Sequence, residues 1–158
     1  MAHGQSGIRA HCAKVAGVQG VVTPSPPLIV LFDGVCSLCN ASIDFLIRRD
    51  RQGALRFAPL QSAVAERLLR EHALDAAELS SVVVIDGSRV YRRSDAALRV
   101  LGRLGKRWRA LATLARLLPR PGRDAVYDWV ATHRYRWFGQ RSTCRIPTPQ
   151  ERERFLLD

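Results

Sequence analysis

The stretch that decides the fold is Leu28-Ile29-Val30-Leu31-Phe32-Asp33-Gly34-Val35-Cys36-Ser37-Leu38-Cys39. Five apolar residues in succession predict a short strand with both faces covered, the kind found in parallel sheets. Asp33-Gly34 ends it. From Ser37 to Arg49 the pattern turns helical: Cys39, Ile43 and Leu46 share one face, with Leu38 and Phe45 beside them. Leu55-Arg56-Phe57-Ala58 reads as a second strand stopped by Pro59. Val64, Leu68, Leu69 and His72 recur at helical spacing within residues 61–73.

Val82-Val83-Val84-Ile85 is another buried strand. Asp86-Gly87 is a strong hairpin signal, with residues 88–92 as the returning partner. Ser94 is placed to cap a helix running to about Leu104. Residues 106–118 continue in helical mode until Pro119, Pro121 and Gly122. A last helix is expected over 123–135, with Val126, Val130, His133 and Trp137 on one side. The order is β-α-β-α-β-β-α followed by more helix. An early βαβ unit needs a parallel pair joined by a right-handed crossover, and the hairpin adds an antiparallel pair. The expected class is therefore α/β: a mixed sheet flanked by helices, with a C-terminal helical extension.

A chain of 158 residues, 47% of them apolar, suits one domain with a sizeable core. No apolar run approaches the ~20 residues of a membrane-spanning helix. Residues 1–27 end in Pro24, Pro26 and Pro27 and have no apolar signal-peptide core, so they read as a flexible extension before a domain at 28–158. The expected compartment is the cytoplasm, where a CxxC is more often redox-active or metal-binding than structural. The net charge is +11, and residues 89–145 hold 15 basic against 3 acidic side chains. That field suits an anionic partner or a membrane surface. The competing readings are a solvated arginine-rich surface and, for residues 103–120, a domain helix with its apolar side in the core.

Cys36 and Cys39 sit just after a strand, at the start of a helix. Unpaired N–H groups and the helix dipole there favour an anion, so a Cys36 thiolate is stabilised, and thiolate is the reactive form. Residues i and i+3 share a helix face, which puts Cys39 within reach of Cys36. The implied chemistry is thiol–disulfide exchange, with Cys36 as nucleophile exposed at the sheet edge and Cys39 as the resolving thiol. Asp33 is the nearest carboxylate. At the end of a buried strand its pKa should be raised, which would let it shuttle the Cys39 proton. The other reading of Asp33 is turn formation. The alternative for the pair is a metal-holding or basic docking module in which CxxC is structural, with Cys144, His133, His72 and Cys12 as the leftover ligands.

Asp33-Gly34-Val35-Cys36-Ser37-Leu38-Cys39 after an apolar strand resembles the signature of the DCC family of predicted thiol-disulfide oxidoreductases. Tyr91-Arg92-Arg93-Ser94-Asp95-Ala96-Ala97-Leu98 resembles the family's middle. Arg134-Tyr135-Arg136-Trp137-Phe138-Gly139 with Cys144-Arg145-Ile146-Pro147 resembles its closing block. The similarity covers about residues 28–156. It implies a thioredoxin-like fold and a redox-active Cys36/Cys39 pair acting on a disulfide-containing protein or small thiol. No cofactor is implied, and electrons would come from a thiol system. Leu79-Ser80-Ser81-Val82 departs from the wider thioredoxin pattern, which has a cis-proline there. Cys144 reads either as a third redox thiol or as a packed small hydrophobe. His133 and His72 read as packed histidines. The arginine–aromatic mixture at 134–141 reads as core packing rather than nucleic-acid binding.

Overall fold

β1 (Leu28–Phe32) is the second strand of a four-stranded sheet. In the computed structural model, which describes residues 26–75 and 82–156, it runs parallel to β2 (Leu55–Pro59), Leu28 opposite Leu55 and Phe32 opposite Pro59. On its other side it is antiparallel to β3 (Val83–Asp86), which turns through Asp86-Gly87 into β4 (Arg89–Arg92). The order β2-β1-β3-β4 is that of a mixed sheet. Five α-helices accompany it among the described residues. The architecture is mixed α/β and consistent with a thioredoxin-like fold.

An inner strand must be covered on both faces, which is why the β1 run is apolar without alternation. Val30 and Phe32 pack with Ile43 of α1 (Ser37–Arg49) and with Ala96 and Val100 of α3 (Arg93–Leu101). Leu31 faces the opposite way, onto Ala65 and Leu69 of α2 (Ala63–Glu71). Each such buried side chain contributes about 1.5–3 kcal/mol relative to exposure. The chain end returns to seal this core. Phe155 is buried with its ring centroid 5.7 Å from Phe57, and Arg154 pairs with the buried Asp50 carboxylate at 2.6 Å.

One expectation fails and another holds only in part. Ser94 does not cap α3. The helix begins at Arg93 after an extended Arg92, and the buried Ser94 hydroxyl hydrogen-bonds Asp124 of α5 (Arg120–Phe138), where it tethers two helices. The apolar side of α4 (Lys106–Ala115) is covered only in part: Trp108 lies edge-on to Phe45 of α1, ring centroids 5.3 Å apart. Ala112 is its sole buried residue, and Leu111 and Leu114 are exposed. Gly105, at φ +121°, is the N-cap of α4, a backbone conformation that suits glycine. α5 starts earlier than the proline pattern suggested because Pro121 fits the first turn, where its missing N–H costs nothing.

Candidate active site

The turn between β1 and α1 is held from four directions. Cys36 is the N-cap of α1, in extended conformation, and its Sγ accepts the Cys39 N–H at 3.3 Å. The fully buried Asn40 donates its amide to the carbonyls of Gly34 (2.9 Å) and Cys36 (2.8 Å), so the first helical turn is locked onto the loop. Gln61, after β2, accepts the Gly34 N–H at 3.1 Å. The fourth support is the segment 139–145. Ser37 N–H donates to Gly139 O, Arg141 N–H to Val35 O at 2.8 Å, and Arg145 N–H to Gly34 O at 3.2 Å.

This strap corrects one expectation. Cys36 is not open to solvent: its exposure is 0%, because the strap forms a bridge between Cys36 and Gln140 across the turn. Arg145 pins the strap through ion pairs to Asp44 of α1 and, at 2.7 Å, to Glu151. The half-buried Cys39 instead lines an apolar cavity of roughly 500 Å³ whose wall includes Phe32, Leu38, Phe45, Ala97 and Tyr127.

Asp33 corrects a second. Burial by itself would raise its pKa, but the Tyr135 hydroxyl, the Gln61 amide (3.0 Å), the Val35 N–H (3.1 Å) and the Arg134 guanidinium (3.3 Å) together hold it below the ordinary value. It is an ionised hub, not a carboxyl ready to carry a proton at neutral pH. Cys39 shifts the other way, to about 12. Burial contributes most, followed by its hydrogen bond to Cys36 and the charge there, with Arg134 opposing. Arg134 is buried, and burial works against its charge. Its hydrogen bond to Tyr135 and its place beside Tyr135 and the two cysteine sulfurs outweigh that and keep it cationic.

Sequence reasoning singled out Cys36, Cys39 and Asp33, and the structure brings the three together. It missed Asn40, Gln61 and the roles of Arg134 and Tyr135. Arg134 and Tyr135 stand within the closing block, and the arginine–aromatic pattern there reads as packing from the sequence alone. Cys144 lies against Gly34, with Sγ 4.0 Å from Gln61 Oε1, and its thiol is raised by burial. His72 bonds the Leu68 and Gly87 carbonyls, and His133 stacks on Trp137 beside Trp129, both away from the turn. Among the described residues no three His, Cys, Asp or Glu side chains converge as a metal site. Cys12 and residues 79–81 lie outside the described residues.

The family described as DCC1-like thiol-disulfide oxidoreductase has a model that matches residues 30–140. The chain is 41% identical over 131 residues to the uncharacterized protein YuxK of Bacillus subtilis (strain 168), covering 83% of this chain and 95% of that one. It is 36% identical over 118 residues to a chloroplastic DCC family protein of Arabidopsis thaliana, covering 75% and 69%. No solved structure gives a significant match.

Proposed function

The chain belongs to the DCC1-like thiol-disulfide oxidoreductase family, and from that premise we propose that it exchanges thiols and disulfides through Cys36 and Cys39, with Cys36 as nucleophile and Cys39 as resolving thiol. The carrying observation is the asymmetry of the pair: Cys36 Sγ receives a helix N-terminal N–H, while Cys39 is held protonated with a pKa of about 12.

Cys36 attacks as the thiolate on a substrate disulfide. One substrate sulfur bonds to Cys36 and the other leaves as a thiolate that takes a proton from solvent. Cys39 then gives up its proton, attacks the Cys36 sulfur and expels the remaining substrate thiolate, which takes that proton. The substrate gains two electrons and two protons, and the protein is left with a Cys36–Cys39 disulfide. A thiol donor returns the electrons. Arg134 stabilises negative charge at both sulfurs. Asp33 is a positioning residue that orients Arg134, Gln61 and the turn. Because the strap covers Cys36, the strap must shift for a protein disulfide to reach it, and an apolar group next to the substrate sulfur fits the Cys39 cavity.

The test is a Cys39→Ser variant offered a fluorescent disulfide substrate. A stable one-to-one mixed disulfide on Cys36 is expected, and reduction by Cys36→Ser at the wild-type rate overturns the assignment.

A further inference from the structure

We propose that the outer face of α4 and α5 docks on an anionic lipid surface. The face is assembled from both helices. Leu114 is 63% exposed, Leu117 79% and Leu118 61%, and they project from α4 and its end. Val126 and Trp129, 64% and 56% exposed, continue the face on α5. Trp129, His133 and Trp137 form a mutual ring cluster on α5, with the Trp129 and Trp137 centroids 4.7 Å apart. A groove of roughly 640 Å³, lined by Leu98, Leu118, Val126 and Val130, joins the two stripes. So continuous an apolar surface is uncommon on a monomer and marks a docking site.

Charge selects the occupant. No acidic residue occurs between Asp95 and Asp124. Several arginines near the face are already matched: Arg120 pairs with Asp95 and Asp124, Arg123 with Asp95, and Arg93 with Asp128. Lys106, Arg107, Arg116 and Arg136 make no ion pair among the described residues, so their charge is open to a partner. A second copy would oppose these cations to their own kind. A bilayer with anionic headgroups matches the whole pattern: apolar side chains enter the acyl boundary, tryptophans sit at the interface, and arginine stems lie along it with their guanidinium groups on phosphates. No helix among the described residues is long and apolar enough to cross a membrane, so these helices would lie on the surface. Ala97 and Tyr127 line both this groove and the Cys39 cavity, so docking sets that cavity at the membrane edge.

The test is co-sedimentation of the full-length reduced protein with phosphatidylcholine vesicles, with and without phosphatidylglycerol. Binding at least about tenfold stronger to the anionic vesicles is expected, weakened by high salt. A double variant, Leu114→Glu with Leu118→Glu, should lose that binding while its melting temperature and disulfide reduction stay at wild-type values, since both side chains are exposed. Arg116→Glu should weaken it severalfold. Equal binding to neutral vesicles, no binding to either, or binding untouched by the variants overturns the proposal. So does a dimer in solution that the double variant dissociates, which would give the face to a second copy.

Discussion

Cys144 Sγ rests against Gly34 so closely that a methyl group on Gly34 would overlap it. The glycine has an ordinary negative-φ backbone. What requires glycine there is the strap's approach to the turn, not the sharpness of the turn.

Gly34→Ala should therefore loosen the strap. The added carbon would also crowd Gln61 Oε1 at 3.1 Å and Pro59 Cβ at 3.3 Å. A loss of about 1–3 kcal/mol is expected from overpacking, with faster alkylation of Cys36. Adding Cys144→Ala should restore much of the stability. Thermal melts and timed alkylation of the three proteins read both effects, and an unchanged Cys36 rate would mean the strap is not what shields it.

Arg145→Leu tests the other anchor. It removes the ion pairs to Asp44 and Glu151 from a side chain only 9% exposed. The expected cost is about 1–3 kcal/mol, because the partners lose a charge-assisted hydrogen bond. Cys36 should become more reactive while Cys39 changes little. Mass spectrometry of alkylated peptides separates the two sites.

Cys39 is held near 12 partly by its neighbour. In Cys36→Ala the hydrogen bond and charge at position 36 are gone, and burial alone still raises the thiol. Its titration should move below about 12 yet stay above the ordinary cysteine range. The pH dependence of alkylation measures this, and a curve unmoved by the substitution would show that the two thiols are not coupled.

Asp33→Asn probes the hub. The Asp33 carboxyl has a lowered pKa in the fold, so its contribution is present above the unfolded value of about 3.9 and is lost as pH falls through the lower folded value. The variant should be less stable than wild type at neutral pH by about 1–3 kcal/mol, since Arg134 and Tyr135 lose their charged acceptor. That gap should close as the pH drops below about 4. Denaturant melts of both proteins across that range decide it, and a gap constant with pH would remove Asp33 from the ionised role.

The sequence by itself determined the parts whose information is local. The apolar run of β1, the helix starting at Ser37, the Asp86-Gly87 hairpin and the i, i+3 thiols each express hydrogen-bond periodicity or turn sterics within a few residues. A βαβ followed by a hairpin then leaves few sheet topologies open. Tertiary structure alone decided how the site is dressed. Tyr135 meets Asp33 from 102 residues away, the 139–145 strap closes over Cys36, and Asn40 ties the loop to its helix. Those pairings turned a carboxyl expected to gain protons into one that releases them more readily. Tertiary packing also left Leu111 and Leu114 of α4 facing outward, which its periodicity could not reveal. An amphipathic pattern records that a helix has an apolar face. What covers that face depends on the rest of the packed chain and on whatever the chain meets.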